Sequence, residues 1–289
     1  MVVKILIGDN PFLGISHLER EKGRETLKSL TLQKKMEILI SALESGAHGF
    51  TFSTHPYNLD LLIYIRDTEK ALLKKLDFYI LTPYAAEYVR LTDTMGTNNL
   101  VKTIFLRGLK MSPLHLLRRL PYSVISLFLY ENIKPYLDIL PKNNVKAILL
   151  HEVLSEPVIA FELSNVIKEL KIFFSKEHVG FGLETRNISY LDNYFKRCEE
   201  SVDYVMTPMN PLGYQMGIKE EAEKTIINLS NKGLKIIAMN ILASGASKIE
   251  DSASYLRRFQ RNLYAVAFGT SKPERARTNV LVLNKYLNQ

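Results

Sequence analysis

The stretch that decides the fold is KGLKIIAMNILASG, residues 232–245. It follows residues 219–231, whose apolar side chains recur with helical spacing, and Gly233 stands where a left-handed cap would end that helix. The apolar run at residues 235–240 begins two positions later, and its length suits a buried strand. A helix that leads so directly into a strand is typical of a parallel sheet covered by helices.

Seven other short apolar runs in the chain likewise alternate with stretches of helical spacing. Together the eight predicted strands are residues 2–7, 48–53, 78–82, 147–151, 179–184, 204–208, 235–240 and 264–269. Eight strand-and-helix units are the number at which a parallel sheet closes, whereas an open doubly wound sheet commonly has about five or six strands. We therefore predict one (β/α)₈ TIM barrel over residues 1–289.

Residues 85–142 form a segment too long for a single connection in a compact barrel. Its apolar stretches, residues 100–106 and 114–120, carry scattered Lys and Arg. A basic amphipathic lid or a membrane-surface helix is one interpretation. We prefer extra helices that pack on the barrel and leave their basic faces in solvent. The sequence thus predicts a helical insertion after the third strand.

Composition and charge restrict the class of protein. Hydrophobic residues make up 46% and charged residues 24% of the 289, which is ordinary for a globular protein. The net charge is +8, but the basic residues are spread along the chain, so we expect a phosphate-bearing small molecule rather than nucleic acid or membrane as partner. Cys198 is the only cysteine, which excludes an internal disulfide and suits a reducing cytoplasm. We expect no signal peptide and no membrane span.

Two stretches in the carboxyl-terminal third resemble the aldo/keto reductases. KGLKIIAMNILASG is similar to the family segment that ends the sixth helix and contains the seventh strand, and GTSKPERARTN, residues 269–279, is similar to the segment after the eighth strand. Weaker likeness at LLH, residues 149–151, and GAHGFTFST, residues 46–54, extends the resemblance over most of the chain outside residues 85–142. The resemblance implies a TIM barrel and oxidoreductase activity with NADP(H).

The segment after the eighth strand holds the adenosine phosphate of NADP(H) in that family. A loop of small residues before a helix also binds phosphate well on physical grounds, because it offers free N–H groups and a positive dipole end. The alternative is an ordinary helix cap with solvated arginines. We favour phosphate binding, and we include Asn240 after the seventh strand as a cofactor contact. The candidate cofactor-binding residues are Gly269, Thr270, Ser271, Lys272, Arg275, Asn279 and Asn240.

Most catalytic positions of the family are replaced. The family uses Asp, Tyr, Lys and His, with the Tyr as general acid. Ser53 stands at the expected Asp position, Pro83 at the Lys position, and Tyr57 one residue before the Tyr position, while His151 matches cleanly. The resemblance therefore supports the fold better than the activity.

The nicotinamide positions also differ. Glu184 and Thr185 stand where a Ser-Asn pair holds the carboxamide, and Met239 replaces the aromatic residue that stacks on the ring. A carboxylate at Glu184 could still accept an amide hydrogen bond. Ordinary hydride transfer is thus in question.

In a closed barrel the active site forms at the carboxyl ends of the strands. Polar residues after the predicted strands are therefore candidates, and the turn-rich loops at residues 8–17 and 209–214 are either simple turns or ligand contacts. The candidate catalytic residues are His151, Tyr57, Tyr84 and Glu184, and the candidate substrate-binding residues are Asn10, His55 and Asn210.

A divalent metal is a weaker expectation than NADP(H). His55, His151 and Glu184, with Asp9 or Glu152, have the ligand types for Zn²⁺ or Mn²⁺, but no close spacing supports such a site. Alternatively, His151 bonds a neighbouring backbone group, and Glu184 forms a rim ion pair with Arg186.

Three functional hypotheses remain open. The first is a divergent reductase that keeps the NADP(H) phosphate anchor and acts on a small carbonyl or alcohol, with His151 and either Tyr57 or Tyr84 as proton donors. The second is a non-redox lyase or isomerase that acts on a phosphate-bearing substrate through His151 and Glu184. The third is a nucleotide-binding protein without chemistry.

Overall fold

Eight parallel strands close into a barrel in the computed structural model of the chain, which describes residues 2–15, 29–82, 96, 102, 122–198 and 201–289. The strands follow one another in sequence order, and the first pairs with the last. This confirms the predicted (β/α)₈ fold, and the predicted strand ends differ from the observed ones by at most two residues. The strands are β1 Lys4–Gly8, β2 Gly49–Ser53, β3 Asp77–Leu81, β4 Val145–Leu150, β5 Gly180–Glu184, β6 Tyr204–Pro208, β7 Lys235–Met239 and β8 Leu263–Phe268.

Ten α-helices within the described ranges surround the barrel. They are α1 Leu32–Glu44, α2 Pro56–Thr68, α3 Lys70–Lys75, α4 Tyr122–Leu137, α5 Glu152–Ala160, α6 Ser164–Ser175, α7 Ile188–Cys198, α8 Lys219–Asn231, α9 Ile249–Arg257 and α10 Pro273–Leu287. Among these helices, none is both long enough and apolar enough to cross a bilayer. Helix α4 lies within the predicted insertion, most of whose first part falls outside the described residues.

The strands are buried on both faces, which explains their appearance as short apolar runs. In β4, Ala147 and Leu149 belong to the cluster inside the barrel, while Ile148 and Leu150 pack in the larger cluster between barrel and helices. After α8, Gly233 has a φ of 91°, as the predicted left-handed cap requires.

Candidate active site at the barrel mouth

Polar side chains collect at the carboxyl ends of β4 and β5. His151 follows β4, and Glu184 is the last residue of β5, with only 8% of its surface exposed. The backbone N–H of His151 donates to the hydroxyl of buried Thr82 at 3.0 Å. Parallel neighbouring strands thus place these two ionisable groups side by side at the barrel mouth.

His151 is oriented by the helix that it begins. Its Nδ1 accepts the N–H of Val153 at 3.3 Å and so caps α5. Because Nδ1 acts as an acceptor, the neutral ring carries its proton on Nε2. That Nε2 atom lies 3.7 Å from Oε2 of Glu184, which is longer than a hydrogen bond but short enough for a small movement to close it.

Burial makes both groups of this pair neutral near pH 7. Burial raises the pKa of Glu184 to about 8, and the negative charge of Glu152 adds to that effect. Burial likewise lowers the pKa of His151 to about 4, helped by the positive charge of Arg186. The mouth therefore holds a protonated carboxylic acid beside a neutral imidazole. Ionisable groups perturbed in this way are common in active sites.

The loop after β5 is fixed by two other glutamates. Arg186 forms its ion pair with Glu152, so the expected alternative of a Glu184–Arg186 rim pair is wrong. Glu156 accepts hydrogen bonds from the Thr185 hydroxyl at 2.8 Å, the Arg186 N–H at 2.9 Å and the Asn187 amide at 2.9 Å. Glu184 Oε2 accepts the N–H of Glu152 at 3.2 Å.

A second carboxylate reaches the mouth from β1. Asp9 follows β1, is buried, and accepts hydrogen bonds from Ser53 and Asn58. Burial raises the pKa of Asp9, and these hydrogen bonds oppose the rise. The sequence placed Asp9 among the polar groups that follow the strands and named it as a possible metal ligand, but it gave no sign of these hydrogen-bond partners. Its carboxylate therefore bonds Ser53, the residue that stands where the resemblance implies an Asp.

Tyr57 and His55 lie at the start of α2. Tyr57 is 45% exposed and lines a cavity of about 570 Å³ between α1 and α2. Its ring centroid is 4.9 Å from that of His55 and 5.7 Å from Nζ of Lys35. His55 caps α2 by accepting the N–H of Tyr57 at 3.2 Å. The structure thus places Tyr57 in the helical layer, whereas it brings His151 and Glu184 together.

Asn10 and Tyr84 were also expected at the barrel mouth. Asn10 is exposed at the start of a 3₁₀ turn, Asn10–Leu13. Tyr84 lies outside the described residues, as do Pro83 and His17. Within the described ranges, no three His, Cys, Asp or Glu side chains are grouped to hold a metal ion, so the metal hypothesis gains no support.

Asn210 and Asn240 organise the loops after β6 and β7. Fully buried Asn210 donates to the carbonyl of Tyr214 and accepts its N–H, both at 2.9 Å. Asn240 donates to the side chain of Gln215 at 2.9 Å and accepts the N–H of Ser244 at 2.9 Å. Both amides therefore hold loop backbone, in addition to any contact with ligand.

The loop after β8 leads into α10, as predicted. Buried Thr270 accepts the N–H of Lys272 at 3.3 Å, and Pro273 begins the 15-residue helix. Lys272 and Arg275 are exposed and form no ion pair with any other described residue, while Asn279 is buried on the inner side of α10. Two cations without an ion pair among the described residues thus lie near a helix amino terminus, which suits an anionic group.

The comparisons with known proteins concern structure alone, since no family model and no curated protein matches the sequence. A protein of Pseudomonas aeruginosa classed with the aldo-keto reductases is 14% identical, with a TM-score of 0.61 over 99% of this chain and 92% of that one. The holo form of an aldo-keto reductase of Bacillus halodurans is 11% identical, with a TM-score of 0.56 over 98% and 87%.

A third similar structure contains a cofactor. It is a mutant of Gox0644 in complex with NADPH, 12% identical, with a TM-score of 0.51 over 96% of this chain and 83% of that one. At these identities the likeness is one of fold. The chain folds as a (β/α)₈ barrel similar to those of aldo-keto reductases.

Proposed function

We propose that this protein is an NADP(H)-dependent oxidoreductase of small carbonyls or alcohols in which Glu184 donates or accepts the proton and His151 orients the substrate oxygen. The observation that carries the proposal is the neutral acid–imidazole pair, 3.7 Å apart, at the mouth of an aldo-keto reductase-like barrel. A buried carboxyl with a pKa of about 8 is a proton donor at neutral pH. With Glu184 as the donor, the reaction does not need a tyrosine whose pKa is lowered by a neighbouring lysine.

The residues after β8 fit the phosphate end of the cofactor. Lys272 and Arg275 are exposed, without ion pairs among the described residues, at the start of α10. Charge-assisted contacts from both side chains would hold a phosphate there. The fit at the nicotinamide end is poorer, because Met239 offers no aromatic face and Glu184 replaces an amide-binding pair.

NADPH, when bound, supplies the hydride that reduces a carbonyl carbon. The chain must then deliver a proton to the carbonyl oxygen. Glu184 is protonated near pH 7 and can donate this proton, and the Nε2–H of neutral His151, 3.7 Å away, can donate a hydrogen bond that orients the carbonyl oxygen. Because Glu184 must be protonated in this direction, we expect carbonyl reduction to be lost as the pH rises through about 8.

Cofactor binding is the first test. Since the chain has no Trp, NADPH and NADH can be titrated by their own fluorescence. We expect NADPH binding to weaken about tenfold in Arg275→Ala, as loss of a charged contact should cause. Arg261→Ala, which removes an exposed arginine outside the loop after β8, serves as the control and should bind normally. Absence of NADPH binding to the wild-type protein would overturn the proposal.

A non-redox lyase or isomerase is a second candidate, because the His151–Glu184 pair can act as acid and base without a cofactor. Glu184 would then be the base and must be ionised, so activity should rise as the pH approaches about 8. Deuterium exchange into dihydroxyacetone phosphate, followed by NMR without cofactor, tests this candidate. Exchange that vanishes in Glu184→Gln would favour it over the reductase.

A further inference from the structure

A second polar cavity opens at the amino-terminal end of the barrel, where β4 to β7 begin. We call it the amino-terminal pocket; its volume is about 470 Å³. His151 and Glu184 lie at the opposite ends of their strands, so this pocket is separate from the candidate active site. The charged and aromatic residues that line it are Lys146, His178, Asp203, Tyr204, Lys232 and Lys235.

The charge of the pocket is unbalanced. Three lysines face one carboxylate, that of Asp203, which already accepts the N–H of Phe181 at 2.9 Å. Lys146 and Lys232 have ion pairs outside the lining: Lys146 with Asp77 at 3.2 Å, and Lys232 with Asp192. Each of these aspartates is shared with a second lysine, Asp77 with Lys4 and Asp192 with Lys196, so ammonium groups still outnumber carboxylates around the pocket.

Lys235 is the cation with least compensation. In the part of the chain that the structure describes it forms no ion pair, and its Nζ donates to the hydroxyl of Tyr204 at 3.2 Å. The same Nζ lies 4.7 Å from the centroid of the Tyr204 ring. An ammonium group has three donors, so the ring and the hydroxyl hold Lys235 in place and leave donors for a ligand.

The glycine at the start of β5 makes this arrangement fit. A Cβ on Gly180 would lie 2.5 Å from Cε2 of Tyr204, so a larger residue would push the ring away. The ring in turn positions the ammonium group of Lys235. The pocket is therefore organised before any ligand arrives, which reduces the cost of binding.

We infer that the amino-terminal pocket binds a compact, multiply charged anion of the phosphate class, contacted by Lys235, Lys146 and Lys232. Its volume lies within the range of about 300–1,000 Å³ that is usual for small-molecule sites. Lysine binds phosphate as a point charge and needs no bidentate geometry. A compact, multiply charged anion matches the excess of ammonium groups around the pocket.

The test is calorimetric titration with inorganic pyrophosphate at low ionic strength. The background carries Lys272→Ala and Arg275→Ala, so that the loop after β8 cannot supply the signal. In that background we expect Lys235→Gln to weaken binding about tenfold, as loss of a hydrogen bond to a charged group should do. Lys224→Gln removes the same charge from an exposed position on α8 outside the pocket lining, and we expect it to bind like the background protein.

Absence of pyrophosphate binding to the background protein would overturn the inference. Equal weakening by Lys235→Gln and Lys224→Gln would also overturn it, because that result indicates only a general effect of charge. Because Lys235→Gln also removes the contact with Tyr204, melting temperatures are compared first. If that variant is unfolded, Lys232→Gln at the exposed edge replaces it, with a smaller expected weakening of about threefold. Unchanged binding in Lys232→Gln would then overturn the inference.

Discussion

Asp9 accepts hydrogen bonds from both the backbone N–H and the hydroxyl of Ser53, each at 2.8 Å, through a single oxygen, Oδ2. The same oxygen accepts the side-chain amide of Asn58 at 2.7 Å. Asp9 follows β1, Ser53 ends β2, and Asn58 belongs to α2. One buried carboxylate therefore ties three neighbouring elements together beside the candidate site.

Removal of this carboxylate should destabilise the protein. Asp9→Ala leaves three donors in a buried place without their acceptor, so we expect a loss of about 2–4 kcal/mol in the free energy of unfolding. Ser53→Ala removes only one hydroxyl donor and should cost about 1 kcal/mol. Urea denaturation of both variants measures the difference. Equal stability of Asp9→Ala and the wild type would mean that the cost of burying Asp9 cancels all three hydrogen bonds.

The stability of the protein should fall between about pH 6.5 and 8. In this range the folded protein retains the proton of Glu184, whose pKa is about 8, whereas the unfolded chain has lost it. His151 contributes only at lower pH, because its folded pKa of about 4 lies below its unfolded value, and there its slope opposes that of Glu184 and offsets it. Glu184 thus dominates the upper window, where one proton corresponds to about 1.4 kcal/mol per pH unit at most.

Glu184→Gln keeps the shape of the neutral acid and cannot ionise. We expect urea denaturation of this variant to give nearly the same free energy of unfolding at pH 6.5 and pH 8. Glu250→Gln, at an exposed position in α9, should keep the wild-type decline. A decline that persists unchanged in Glu184→Gln would show that Glu184 does not carry the raised pKa.

The barrel could be predicted from the sequence because its strands are buried on both faces. Runs such as residues 204–208 are short and apolar, and each stands between helical segments, so the count of eight could be made without any contact information. His151 and Glu184 could be named for the same reason, since each directly follows or ends such a run.

The partners of those residues could not be predicted. Asp9 and Asn58 are 49 positions apart, and their hydrogen bond depends on side-chain directions that no spacing in the sequence records. The sequence likewise suggested that Arg186 pairs with Glu184, two positions away on one strand, but β5 ends at Glu184. The chain bends after that residue and directs Arg186 to Glu152.

Gly269 should be required for packing at the mouth. A Cβ on this residue would lie 2.6 Å from Cδ and 2.9 Å from Cγ of Pro11, in the loop after β1. We therefore expect Gly269→Ala to destabilise the protein by about 1–3 kcal/mol, the usual cost of overpacking. Gly8→Ala is the matched control, because its Cβ would meet only backbone atoms of Phe268 and Gly269 at 3.7 Å or more. Thermal denaturation compares them, and equal losses in both variants would contradict the packing argument.

Asn240 should stabilise the loop after β7 in two ways that can be measured separately, through its backbone conformation and through its side-chain hydrogen bonds. Asn240 has a φ of 50°, and its side chain bonds both Gln215 and Ser244. Asn240→Gly keeps access to the left-handed conformation but loses both hydrogen bonds, while Asn240→Ala loses both features.

We expect Asn240→Ala to lower the free energy of unfolding by about 1 kcal/mol more than Asn240→Gly, which is the cost of placing a side chain with a Cβ in the left-handed region. Urea denaturation of the two variants under identical conditions gives this difference. If Asn240→Gly were the less stable variant, the side-chain bonds and chain entropy would outweigh backbone strain, and the left-handed conformation would not explain why an asparagine occupies this position.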